Sequence, residues 1–488
     1  NTTVNGNNGN DTFHVNMTDG TTTINGGNGA ETFHINNTGS TTTLNGDADN
    51  DIFHVNMVGG TTTINGNAGG DTYYVNMTGG TTTINGGDDP DTINVRAMPS
   101  TLTVNGDAGN DVINVSTDAP TMNGTLNLIS ALLTINGGAN SDTLNVSDAG
   151  DSAANNGTLT STTLTGLGMS DSITYGTLET LNITLGSGGD TFTIASTHTT
   201  TTTLNTRNGA DTVNVQTISG VTTVNGDAGN DIINISTDAP TMNGTLNSIS
   251  ALLTVNGGAD SDTLNVSDAG DSAANNGTLT STTLTGLGMS GSLTYGTLET
   301  LNVTLGSGSD TFTIASTHAN TTTLNAKNGA DTVNVQTISG VTTVNSDAGN
   351  DVINISTDAP TMNGTLNSIS ALLTINGGAD SDTLNVSDAG DSAANSGTLT
   401  STTLTGLGMS GSLTYGTLET LNLTLGSGGD TFTIASTHAN TTTLNTSAGA
   451  DTVTVNSTSG TTTLNAGNDN DTLNLRSMSG TLTVNGDA

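Results

Sequence analysis

The chain has 488 residues, 31 % apolar and 2 % aromatic, with no Trp and no Cys, which excludes a disulfide scaffold, thiolate metal sites and a thick globular core. Its 43 acidic residues against four basic ones leave a formal charge of −39, so nucleic acid is a poor partner and cations are natural ones. No apolar run reaches the roughly 18 residues of a membrane span, so no membrane insertion is expected of this segment.

Residues 1–110 repeat with a period of 20. "TTTINGGNGAETFHINNTGS" (21–40) is one unit. An acid recurs at Asp11, Glu31, Asp51, Asp71, Asp91 and Asp111, with an Asn six residues earlier at Asn5, Asn25, Asn45, Asn65, Asn85 and Asn105. Each unit holds two stretches of period two. In the first, Thr22 and Ile24 share one face, and Thr21, Thr23 and Asn25 the other. In the second, Phe33 and Ile35 lie opposite Thr32 and His34. Thr, Ile and Val favour strands, and Gly-rich turns separate the two stretches. A unit with about four inward side chains cannot stand alone and must stack on its neighbours. The predicted fold is all-β, a parallel β-solenoid of two sheets, β-roll-like, with about 20 residues per coil and about 21 coils. Coils about 4.8 Å apart would make a rod on the order of 100 Å long.

From Asp111 a 120-residue repeat takes over, spanning 111–230, 231–350 and 351–470, and 471–488 starts further coils of one continuous solenoid. Its turns fall at 111, 142, 171, 190, 211 and 231. Extra residues at 116–130 and 147–161 are expected on the edge opposite the Gly-Asp turns, as candidates for lateral contacts. The chain opens on "NTTVNG" and closes on "TLTVNGDA", both mid-repeat. It therefore reads as a segment of a longer protein, with end-to-end or lateral self-association expected.

"GDAGNDVIN" (106–114) resembles the Gly-Gly-x-Gly-x-Asp-x-apolar-x nonapeptide of the repeats-in-toxin family, whose members are large bacterial extracellular proteins with calcium-binding parallel β-rolls. "GNNGNDTFH" (6–14), "GNAGGDTYY" (66–74) and "GDAGNDIIN" (226–234) are close variants, and "GGNGAETFH" (26–34) carries Glu in the Asp place. The resemblance implies an extracellular or cell-surface location and a Ca2+ column held by Asp11, Glu31, Asp51, Asp71, Asp91, Asp111, Asp142, Asp190, Asp211, Asp231, Asp262, Asp310, Asp331, Asp351, Asp382, Asp430, Asp451 and Asp471. Glycines let carbonyls turn inward, and calcium takes six to eight oxygens at about 2.3–2.6 Å. Carboxylates one coil apart repel by roughly 1 kcal/mol per pair even in water, so the column needs cations, protons or outward side chains. The chain departs from the family in lacking the motif on its second edge, so the column is expected on one edge only. The change from Asp171 to Gly291 and Gly411 is expected to break it twice. A metal-free turn, with Asp accepting backbone N–H bonds, is the competing reading.

The recurring Asn fits an amide ladder from coil to coil. The Thr-x-Thr pairs from Thr21/Thr23 to Thr81/Thr83 form a flat array, which raises an alternative function as an ice- or glycan-binding surface. His14, His34 and His54 form a column followed by Tyr74, whereas His198, His318 and His438 are too far apart to act together. No catalytic constellation is present, and no enzyme is expected. The sequence points to a structural role as a filament, stalk, sheath, biofilm-matrix fibre or adhesin shaft.

Overall fold

The computed structural model describes residues 1–486, which form 46 short strands and no helix. The chain is a parallel β-solenoid of two sheets with coils of about 20 residues. It divides into two compact units, one of Asn1–Ile233 with Ile249–Asp262, the other of Asn234–Ser248 with Thr263 onward.

In the first unit each early coil pairs a strand such as Thr22–Asn28 with a shorter one such as Thr32–Ile35. The register advances by one repeat at every step. Val4 pairs with Ile24, Ile24 with Leu44, Leu44 with Ile64 and Ile64 with Ile84. Alternation does the sorting, as period two requires. Thr22, Ile24, Phe33 and Ile35 are buried, while Thr23 and His34 lie on the outer face. The core is thin and is filled by inward side chains from both sheets. Phe13, Phe33, Phe53 and Tyr73 stack along it with ring centroids 4.9, 4.6 and 4.9 Å apart.

The outer face carries the Asn ladder. Asn25 Nδ2 donates to Asn5 Oδ1 at 2.7 Å, Asn45 to Asn25 at 2.7 Å and Asn65 to Asn45 at 2.8 Å, and the ladder runs on through Asn85, Asn105 and Asn136. A second ladder joins Asn16, Asn36, Asn56 and Asn76 on the other sheet. Each net bond stabilises by about 1 kcal/mol. Asn45→Ala removes two, so urea denaturation should show a loss of about 2 kcal/mol. Asn45→Asp should cost more at neutral pH, because it loses the donor and adds a charge.

The inserts are built into the fold. In 116–130, Leu126 and Ile129 are fully buried, and Asp118 organises the loop by accepting from the Thr121 hydroxyl and the Asn123 and Gly124 N–H groups. The insert 147–161 supplies a sheet strand. Asn156–Leu159 pairs in parallel with Thr191–Ile194 and antiparallel with Thr163–Gly166, which pairs antiparallel with Ile173–Gly176. One reversed strand, Thr163–Gly166, thus interrupts the otherwise parallel sheet. Gly157 is needed here because a Cβ would lie 2.5 Å from the Phe192 ring.

The interruption exchanges the roles of the two sheets. The uninterrupted sheet passes from the acid-led strand Thr143–Ser147 to Thr180–Thr184 and then to the Thr-rich strands Thr201–Asn205 and Thr222–Asn225. The interrupted sheet goes from Leu133–Ala139 to Ile173–Gly176, and beyond the reversed strand and Asn156–Leu159 continues through the acid-led strands Thr191–Ile194 and Thr212–Val215. In the second unit the corresponding reversed strands, Thr283–Gly286 and Thr403–Gly406, lie in opposite sheets.

Candidate functional site: a buried acid column

The acid that opens each shorter strand points inward. Glu31 and Asp51, Asp71, Asp91, Asp111, Asp142, Asp190, Asp211, Asp231, Asp262, Asp310, Asp331, Asp351, Asp382, Asp430 and Asp451 are all 2 % exposed or less. Asp11 and Asp471 occupy the same place but are partly exposed. One carboxyl oxygen of each buried Asp is tied to a backbone N–H of the preceding coil, whereas both oxygens of Glu31 are unbonded. The Glu31 N–H donates to Asp51 Oδ1, Asp51 N–H to Asp71, Asp71 N–H to Asp91 and Asp91 N–H to Asp111, at 2.7–2.8 Å.

The second oxygen has no such partner. Oδ2 of Asp51, Asp71, Asp91, Asp111 and Asp142 is buried and unbonded, as it is in Asp211, Asp231, Asp331 and Asp351. In the early coils it abuts the glycine five residues back, whereas Thr206, Ala326 and Ser346 stand five residues before Asp211, Asp331 and Asp351. A Cβ on Gly46 would lie 2.1 Å from Asp51 Oδ2, and one on Gly86 would lie 2.2 Å from Asp91 Oδ2. This glycine of the Asn-Gly pair is there for room. Positive φ belongs to other turn residues, such as Asp107 at 69° and Gly69 at 114°.

The column is not confined to one edge, which corrects the sequence-based expectation. A first run goes from Asp111 to Asp142 and ends where Asp142 N–H donates to Glu179 Oε2. A second begins where Asn155 N–H donates to Asp190 Oδ1 and continues through Asp211, Asp231 and Asp262, leading strands of the other sheet. A third links Asp310, Asp331, Asp351 and Asp382 to Glu419, and a fourth links Asp430, Asp451 and Asp471. Asp171 is exposed and bonds its own neighbour Ser172, so its replacement by Gly291 and Gly411 breaks nothing. Sequence reasoning missed Glu179 and Glu419, whose column places lie 37 residues beyond Asp142 and Asp382. It also missed Asp148, Asp268 and Asp388, fully buried acids that accept the Leu126, Leu246 and Leu366 N–H groups.

Burial dominates the electrostatics. It pushes Asp51 and Asp91 up to about 8, Asp71 to about 7 and Asp111 to about 6, with neighbouring acids adding to the rise and the coil-to-coil N–H bond opposing it. Asp231 and Asp331 rise to about 7, and Asp211, Asp351 and Asp451 to about 6, with burial again the first cause. A calcium cage does not fit this arrangement. One oxygen of each buried Asp carboxyl in the column is spent on a backbone N–H, and successive carboxyls stand one coil apart. Among the described residues, no three Asp, Glu or His are placed to hold a metal ion together. A proton on the free oxygen removes both the unpaired charge and the repulsion.

The other columns are also in place. His14, His34 and His54 stack at 4.9 Å on the outer face, Tyr74 follows at 5.1 Å, and the Arg96 guanidinium lies 5.4 Å over the Tyr74 ring. Compared with protein-family models and with curated proteins, the chain matches none.

Proposed function

We propose that this chain is a structural segment of a bacterial extracellular or cell-surface protein, a filament, stalk, sheath or adhesin shaft, whose acid column is neutralised mainly by protons. The observation that carries the reading is the coil-to-coil carboxyl–backbone bond. It recurs throughout both units and does the same mechanical job each time, joining one coil to the next. The strongly acidic, Thr- and Asn-rich surface and the resemblance to secreted roll proteins support the location. Immunogold labelling of the producing cells tests it. Label outside the envelope is expected, and label confined to the cytoplasm would overturn it.

The unpartnered carboxyl oxygens favour one second reading, a column filled by calcium after local rearrangement. Thermal melts at neutral pH with millimolar calcium and with EGTA separate the two. Coincident curves are expected. A calcium-dependent rise, abolished in Asp71→Asn, would transfer the column to calcium.

A further inference from the structure

We propose that each 120-residue repeat carries a cleft that binds one uncharged sugar unit of a glycan. The inference is independent of the structural role and of what neutralises the acid column. In the first repeat the cleft has a volume of 300 Å³ and lies between the turn 176–179, the loop 198–200 and the hairpin turn at Ser161 and Thr162. In the third repeat the equivalent cleft measures 230 Å³, with Tyr415, Glu419 and His438 in the places of Tyr175, Glu179 and His198.

The wall is built the same way each time. The Tyr175 hydroxyl donates to the Thr160 carbonyl, and the ring stands edge-on to His198 with centroids 6.0 Å apart. Tyr295 with His318 and Tyr415 with His438 repeat this at 6.2 Å. Thr200 Oγ1 donates to the Leu178 carbonyl at 2.8 Å, and where the later repeats carry Asn320 and Asn440, their amides make the same bond to Leu298 and Leu418 at 2.8 Å. The residue changes and the wall is kept. Glu179 and Glu419 are held by the Asp142 and Asp382 N–H groups at 2.8 Å.

The unpaired group is the imidazole. Nδ1 of His198 and His438 sits 3.3 and 3.2 Å from the Thr202 and Thr442 hydroxyls. Nε2 of His198, His318 and His438 is buried with no partner. An unpaired buried polar atom costs about 1–3 kcal/mol, and here the cost recurs at every repeat. Burial also lowers the pKa of all three imidazoles, so they are neutral at neutral pH.

The lining then selects the ligand. It holds a carboxylate and no cationic side chain, which repels anions. The Glu179 carboxylate and the hydroxyls of Ser161, Thr162, Thr177 and Thr200 suit a ligand whose own hydroxyls both donate and accept, with the His198 ring as part of the wall. Tyr175 and Leu178, each 5 % exposed, give it a small apolar floor. A cleft this small takes one sugar ring.

Saturation-transfer NMR of the full chain with the methyl glycosides of glucose, galactose and mannose and with N-acetylglucosamine tests this. Transfer to at least one sugar is expected, and titration should give three sites. Gly176 and Gly416 line their clefts, and a Cβ on either meets nothing within 4 Å. Gly176→Leu with Gly416→Leu should therefore cut the sites from three to one with the melting temperature unchanged. Glu179→Gln with Glu419→Gln, which keeps an oxygen for the column N–H, should weaken binding at those two sites at least fivefold. No transfer to any of the four sugars, or a site count untouched by the Leu variants, would overturn the proposal.

Discussion

Lowering the pH from about 8 to about 5 is expected to raise the melting temperature by roughly 10 °C or more, the reverse of most proteins rich in ionised carboxylates. The sign follows from the acid column. Asp51 and Asp91 at about 8, and Asp71 and Asp231 at about 7, hold protons in the folded chain that an unfolded Asp, at 3.8, has already released. A raised folded pKa contributes stability that is complete below the unfolded value and is lost as pH rises through the folded one. The window therefore runs from about pH 4 to about pH 8. The surface charge of the chain acts in the same direction.

Below that window the inserts reverse the trend. N–H bonds from Ala153, Ala273 and Ala393 hold Asp151, Asp271 and Asp391 below their usual range, and the Thr241 and Thr361 hydroxyls do the same for Asp238 and Asp358. Their contribution is present above the unfolded pKa and lost as pH falls through the lower folded one. Stability should peak between about pH 4 and 5. Asp71→Asn with Asp91→Asn keeps the Oδ1 acceptor and removes the titrating proton. The double variant should melt higher than the parent at pH 7.5 and no higher near pH 5. Circular dichroism melts across this range decide it. A parent melting temperature that is flat or rises with pH would mean that the column is ionised and its charge is met by cations.

The regular coils were legible because their information is local. Period two places Ile24 and Phe33 inward, period 20 stacks Asn5 on Asn25, and neither needs a long-range contact to be read. The 120-residue repeat was legible as a repeat and not as a path. "STTLTGLGMSDSITYG" alternates like any coil, and nothing in its pattern says that Thr163–Gly166 runs backwards between Asn156–Leu159 and Ile173–Gly176. Missing that reversal placed Asp171 on the column edge and left Glu179 off it. The direction of the acids was also beyond a motif. A Gly-Asp turn can aim its carboxyl outward at a cation or inward at a backbone N–H. In the early coils Gly46 and Gly86 leave space that the inward carboxyl fills, and further on Asp211, Asp331 and Asp351 turn inward with Thr206, Ala326 and Ser346 in that place. One signal could have exposed it: the Asn-Gly pair stands at a fixed distance before the acid in the early coils, apart from the glycines of the turn itself.

Phe53→Ala should be the most damaging core truncation, costing about 4 kcal/mol and splitting the unfolding transition. Phe53 is fully buried between Phe33 and Tyr73, with ring centroids 4.6 and 4.9 Å away. A core this thin gives the hole little to collapse on. The side chains above and below are held in register by their own strand pairs, and Val55 beside the hole is already packed. Coils contact only their neighbours, so the loss cannot be shared along the stack. Hydrogen exchange should show faster opening of the strands Ile52–Val55 and Thr32–Ile35, with protection of Thr212–Val215 unchanged. Phe53→Leu, which keeps most of the volume, should recover more than half of the loss. A uniform increase in exchange along both units would instead mean that the stack unfolds as one cooperative body, and the coil-to-coil carboxyl and Asn ladders would then couple distant coils more strongly than side-chain packing does.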